Sequence, residues 1–384
     1  MGMTKIINVN IVGKKGQPCI FGTFYSLLKY KGWAVLTGVP GPLNTIFLNF
    51  AYPDRSQLYF ISSFGANDQV VVSGQFPENL FYWALTLYDE CGLIPPSVAG
   101  EKYSYNDLDF PSRQYNVKFQ YSKPYSLFIR FYASSTKQRN TLYDEYLPTL
   151  TFNGSVLPKP PLANIKLLSQ SVEKIITPLF SKNNKCICPT LPTGCTETCS
   201  TTYGNVNVHE FFLVSSQQLA ATFPNANGLY LVMYPPLPSS HRLEDIVVRV
   251  SASFPSPIGP QYPLRYFSYM ASNATTSATD DTIGFGYEKG TLTPTISGQY
   301  TLWFGYNKDK IVQQPLYQTG DVVLLFSPQN DHPVIVLRQI CVLDSSPSCP
   351  LFSFHGNTEP VPGNVIHQAM GDTYPVSEIL SEAA

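Results

Sequence analysis

Four of the chain's eight cysteines fall in one short run, CICPTLPTGCTETC, as Cys186, Cys188, Cys195 and Cys199. Thiols this dense either staple a loop that has no core of its own or hold a zinc ion with four sulfurs. Structural zinc sites favour C-x2-C knuckles, and neither spacing here matches. Disulfides are therefore the first reading, free or partly paired thiols the second and zinc the third; Pro189, Pro192 and Gly194 also suit a stapled loop. Thiol catalysis is not expected, because no C-x-x-C motif or neighbouring cation lowers a thiol pKa. Cys19, Cys91, Cys341 and Cys349 are scattered, which leaves the redox compartment open.

Other residues that could do chemistry are sparse. His209-Glu210 begins like a zinc-protease helix, but Leu213 stands where the second histidine ligand belongs. The remaining histidines, His241, His332, His355 and His367, do not cluster. Adjacent acids occur as Asp89-Glu90, Asp144-Glu145 and Asp280-Asp281, all placed in turns by their surroundings. A glycosidase needs two carboxylates facing each other across roughly 5–10 Å, which neighbours in a strand do not provide. No oxygen-rich calcium loop, nucleophile elbow, P-loop or dinucleotide fingerprint is present. The expectation is no catalytic residue, no cofactor and no metal centre. Two sequons, at Asn153 and Asn273, are compatible with glycosylation.

Composition narrows the classes. The 384 residues are enough for two domains with real cores. Charged residues make up 13%, against about 25% in an average globular chain. Aromatics reach 14%, so a β-rich protein with large buried or partner-covered surfaces is expected. Net charge is −1 and no basic run exceeds two lysines, which argues against nucleic acid as a partner. No apolar run approaches the roughly 20 residues of a membrane span, and the N-terminus lacks a signal peptide's apolar segment. The expected location is the cytosol at synthesis, then a virion or other large assembly.

The elements that would position any site are short strands. NTIFLNFAY, QLYFISSF, DQVVVSGQF and YSLFIRFYA in the first half, and GLYLVMYP, DIVVRVSASF, DVVLLFS and PVIVLRQICVL in the second, are each bounded by Pro, Gly, Asn or Asp. One helix is expected over 161–180, with Ile165, Leu168 and Val172 at helical spacing, and a shorter one over SSQQLAATF. A repeat links the halves. RQYNVKFQYSK returns as GQYTLWFGYNK, with Tyr115/Tyr300, Phe119/Phe304 and Tyr121/Tyr306 held 185 places apart. VVVSGQFP returns as VRVSASFP at an offset of 178, and at 185 Tyr82 falls on Phe267. An internal duplication is the reading. In the repeated strand Tyr115, Val117 and Phe119, like Tyr300, Leu302 and Phe304, alternate onto one core face. On the diverged face Lys118 is replaced by Trp303, which is either covered by a neighbouring element or offered as a partner contact.

FYWALTLYDECGLIPP, PYSLFIRFY, NANGLYLVMYP, RYFSYMAS and VIVLRQICVL together resemble a family of tandem β-sandwich proteins of unknown function, found in bacteria and in large algal viruses. The chain departs from that pattern at Ala84, where a serine is usual, and in its cysteine-rich insert. The resemblance implies a fold and no activity. The expected architecture is mainly β: a jelly-roll-like sandwich over 1–160, a helical, Cys-rich connector over 161–205, a related sandwich over 206–350 and a C-terminal extension over 351–384. The expected function is a non-enzymatic structural protein, a capsid or surface component whose partners are protein subunits. The alternative is a carbohydrate-binding or carbohydrate-active protein, with glycans as partners.

Overall fold

A computed structural model describes residues 28–30, 32–36, 56–89, 94–95, 101–157, 206–214, 225–236, 242–274, 279–284, 298–342, 349–354, 357 and 360–380. Cys186, Cys188, Cys195 and Cys199, both expected helices and the expected connector lie outside these residues.

The first half contains β1 (Ala34–Leu36), β2 (Gln57–Phe64), β3 (Gln69–Gln75), β4 (Tyr82–Asp89), β5 (Ser104–Asn106), β6 (Gln114–Gln120), β7 (Tyr125–Tyr132), helix α1 (Thr136–Tyr146), β8 (Thr149–Phe152) and β9 (Ser155–Val156). The strands form two sheets, β1-β2-β7-β4-β5 and β6-β3-β8-β9. Their facing sides enclose a core that includes Phe60, Trp83, Leu85, Leu127, Ile129, Val72, Val117 and Phe119. Helix α1 starts where Ser135 accepts a hydrogen bond from the Gln138 amide at 3.1 Å, and it buries Leu142 and Tyr143.

The second half contains β10 (Phe212–Val214), β11 (Gly228–Met233), β12 (Val247–Ser253), β13 (Leu264–Asn273), β14 (Thr279–Gly284), β15 (Gln299–Gly305), helix α2 (Lys308–Val312), β16 (Val322–Leu325), β17 (Pro333–Cys341), helix α3 (Gly363–Met370) and β18 (Val376–Ile379). Its sheets are β10-β11-β17-β13-β14 and β16-β15-β12-β18. The chain is thus mainly β, with two sandwiches in tandem.

The five-stranded sheets repeat one strand order, whereas the four-stranded sheets share only their three-strand part, β9 and the parallel strand β16 having no counterparts. In the first sandwich, Val72 pairs with Val117; in the second, Val250 pairs with Leu302, which reproduces both offsets expected from the sequence. One alignment shifts by a residue. Arg130 faces Ala84 across β7 and β4, and Arg338 faces Ser268 across β17 and β13. Tyr82 therefore corresponds to Tyr266, not to Phe267.

Within residues 351–384, expected as an extension, the described residues 360–380 contribute to the second sandwich. β18 pairs with β12, and Val361, Ile366, Met370 and Tyr374 pack in the second core. Cys341 and Cys349 form a disulfide with both residues buried in that core. No helix among the described residues is long and apolar enough to cross a membrane.

Candidate functional site

A sheet that covers one core alternates buried and exposed residues, as β6 does from Gln114 to Gln120. Strands β2, β4, β7, β11, β13 and β17 do not: nearly every residue in them is buried. Both of their faces are covered: contacts from the outer face of one five-stranded sheet reach the other sandwich, and Val206, Val208 and Tyr234 pack on another part of the second sheet's outer face. Tyr266 packs against Phe81 and Tyr132, with ring centroids 5.7 and 5.1 Å apart. Gly284 is needed here, since a side chain on it would overlap the Tyr266 hydroxyl.

Polar groups also cross this seam. The Tyr82 hydroxyl donates to Asn227 Oδ1 at 2.9 Å and lies 3.0 Å from Asn225 Oδ1. Asn106 Nδ2 donates to the same Asn227 oxygen at 3.2 Å. Burial pushes the Tyr82 hydroxyl well above its ordinary pKa, so it stays protonated and able to donate. Arg130 and Arg338 occupy matched positions beside Tyr59 and Tyr230. The Arg130 guanidinium lies 4.2 Å from the Phe128 ring centre, and that of Arg338 lies 5.2 Å from the Tyr230 ring. A salt bridge closes one end, from Arg265 Nη2 to Asp107 Oδ2 at 2.9 Å.

Beside that salt bridge the first sandwich carries a cavity of about 210 Å³. The turn between β3 and β4 supplies Phe76, Glu78, Asn79 and Leu80; the segment before β6 supplies Asp107 and Arg113; Trp83 also lines it. Trp83 is fully buried and stacks on Phe76 at 5.2 Å. Two lining residues hold left-handed backbone conformations, Asn79 at φ +58° and Arg113 at φ +63°. Asparagine tolerates this region; arginine disfavours it. Arg113 Nη2 pairs with Glu78 Oε1 at 2.7 Å. Burial raises the Asp107 carboxyl above its ordinary pKa, with the charge of Arg265 pulling the other way. Asp107 Oδ1 is buried without a well-formed hydrogen bond among the described residues.

The sequence-level candidates are dispersed. Trp303 does lie on the outward face of its sheet, but it is fully buried and offers no surface to a partner. Helix α2 places Ile311 in the same small cluster as Trp303, Tyr317 packs edge-on against the indole, and Trp303 Nε1 donates to Asp321 Oδ2 at 2.7 Å. Two of the three acid pairs are not in turns, and Glu90 of the third lies outside the described residues. Asp144 and Glu145 lie in α1, Asp280 and Asp281 lie in β14, and Asp89 ends β4. Asp280 accepts from Asn330 Nδ2 at 2.6 Å, while Asp281 accepts from the Leu325 amide at 3.2 Å and ties β14 to β16. His209, His332 and His367 meet Tyr234, Asp331 and Tyr374 respectively. No group of three potential metal ligands occurs among the described residues. Of the sequons, Asn153 is exposed at a hairpin turn, whereas Asn273 is buried with its amide donating to Asn330 Oδ1.

Neither the seam nor the cavity was anticipated from the sequence. The available signal for the seam was the unbroken apolar character of YWALTLY and YSLFIRFY, which is too dense for a sheet wetted on one side.

No protein-family model matches the chain, and no curated protein matches it by sequence. Among solved structures, an uncharacterized protein from Burkholderia cenocepacia is similar at 9% identity and a TM-score of 0.49, over 94% of this chain and 85% of that one. A protein from Vibrio parahaemolyticus is similar at 9% identity and a TM-score of 0.40, over 82% of this chain and 91% of that one.

Proposed function

We propose that the chain is a non-enzymatic structural and interaction protein, a building block of a larger protein assembly such as a virion capsid or its surface. The observation that supports this reading is the seam. Two five-stranded sheets each give their second face to contacts with the other sandwich, and the resulting block is held by Tyr82, Asn106, Asn227 and the Asp107–Arg265 pair. A two-sandwich unit with its inner faces closed presents two outer sheets and their edges, the surfaces through which tiling subunits meet. The strand order shared by the two five-stranded sheets supports reading the halves as an internal duplication. The carboxylates lining the cavity are both engaged by arginines, an arrangement that favours holding loops over moving protons. The capsid form of the reading rests on this architecture by analogy, since a fold hosts many functions.

Light scattering after size exclusion, followed by negative-stain microscopy of the source particles, tests the proposal. Assembly into defined oligomers, or co-purification with particles, is the expected result. A stable monomer with hydrolase activity on a defined substrate overturns it.

A further inference from the structure

We propose that β18 of one copy adds as a parallel strand to the open edge of β6 in another, joining copies through one continuous sheet. The proposal rests on the assembly reading above and names the partner, a second copy of this chain. Its basis is a difference between the two sandwiches. In the second, β15 pairs with β16 as a parallel strand, with Trp303 opposite Val323 and Phe304 opposite Leu324. Residues 306–332 supply that strand, whereas residues 121–124 carry β6 straight into β7. Among the described residues no strand lies beyond β6, although β6 occupies the place that β15 holds. The Arg113 carbonyl accepts from the Phe76 amide on the β3 side. By antiparallel alternation, Gln114, Asn116, Lys118 and Gln120 aim their backbone groups at the open edge, and all four are exposed. The flank above that edge is unfinished as well. Tyr105, Phe110 and Tyr121 are half-buried there and Leu108 is exposed, while Leu324 and Phe326 close the second core.

β18 presents the matching edge, at the far side of its own sheet. The Leu380 amide donates to the Val247 carbonyl, so alternation turns the backbone groups of Ser377 and Ile379 away from β12. These two side chains lie on the core side, opposite Val250 and Val248. β16 meets β15 in the same phase, and in parallel pairing that phase keeps both cores on one side of the joined sheet. Antiparallel addition would set core-side residues of β18 opposite the outward Asn116 and Lys118. In the register of β16, Glu378 falls opposite Lys118 and Ile379 opposite Phe119. Glu378 is exposed beside Arg249, so its carboxylate has room for a second cation. Val376 and Ile379, 53% and 39% exposed, would gain cover. Because β6 meets β18 and not itself, the contact is heterologous and repeats into a ring or a filament.

Sedimentation velocity of the full chain over a range of concentrations tests this. The parent should associate beyond a dimer below about 100 µM. Lys118→Glu and Glu378→Lys should each weaken association about tenfold or more, because each sets like charges opposite one another at every contact. Mixed in equal amounts, the two variants should associate as the parent does, since every contact between unlike chains joins a lysine to a glutamate. Asn116→Pro removes an amide that points away from β3, so it should block association while the melting temperature is nearly kept. The proposal is overturned if Glu378→Lys associates as the parent does, or if the mixture does no better than either variant alone. It is equally overturned if the parent stays monomeric. Association indifferent to both charge reversals refutes this contact and leaves the assembly reading standing; a monomer with hydrolase activity refutes both.

Discussion

Arg265 in the second sandwich reaches Asp107 in the first, Nη2 to Oδ2 at 2.9 Å, and its side chain is only 6% exposed. Removing one member of a buried pair leaves an uncompensated charge, which costs more than the pair itself contributes. Arg265→Met should therefore destabilise the protein by about 3 kcal/mol, the lower end of the range because Asp107 keeps some access to water. Combining it with Asp107→Leu should restore part of that loss. Chemical denaturation of the two single variants and the double variant measures this. Additive losses would mean that the two residues do not couple across the seam.

Trp303 and Asp321 supply a second test. Trp303→Ala should cost about 3–5 kcal/mol by opening a cavity beneath α2. Trp303→Phe keeps most of the ring but strips Asp321 Oδ2 of its indole donor, and should cost about 1–2 kcal/mol. If Trp303 instead served a partner, both variants would keep parental melting temperatures and lose association.

In the second core the hydroxyls of Tyr269 and Tyr300 meet at 2.8 Å, and burial raises both above the ordinary tyrosine pKa. Each is the other's partner in an apolar setting. Tyr300→Phe should cost about 1–2 kcal/mol, because Tyr269 is left with a buried, unmet hydroxyl. Replacing both by Phe should recover most of the stability. A double variant no more stable than the single one would show that the pair is not an isolated unit.

Asp280 predicts a pH dependence. Burial raises its carboxyl above the ordinary 3.8, against the opposing bonds from Asn330 and the Ser327 backbone. The folded protein therefore holds this proton more tightly than the unfolded chain. The resulting stabilisation is complete below the ordinary value and is lost as pH rises through the raised one. Unfolding free energies of the parent and of Asp280→Asn, measured across the acidic range, should show the parent's advantage shrinking as pH rises. A parent advantage that grows with pH would mean that the folded-state pKa is lowered.

Much of the β architecture was legible in local patterns. The alternation of Tyr115, Val117 and Phe119 against Gln114, Asn116, Lys118 and Gln120 appears unchanged in the burial of β6. The offsets of 178 and 185 reappear in the cross-strand register of both sandwiches. Helix α1 was missed because TKQRNTLYDEY is mostly polar: its three buried residues, Arg139, Leu142 and Tyr143, make no apolar stripe. The role of residues 351–380 was missed because β18 pairs with β12, more than 120 positions earlier, and nothing in VSEI announces so distant a partner.

Periodicity determined the strands and their core faces, because those properties follow from side-chain spacing along a pleated backbone. Which outward faces would remain outward was decided only by tertiary structure. Lys118 and Trp303 occupy matched positions, yet Lys118 is exposed while Trp303 is fully buried beneath the α2 segment. Tyr82, Arg130 and Arg338 also point away from their own cores and end buried, because a second sheet lies against them. Burial depends on what approaches from outside a strand, and spacing within that strand carries no record of the visitor.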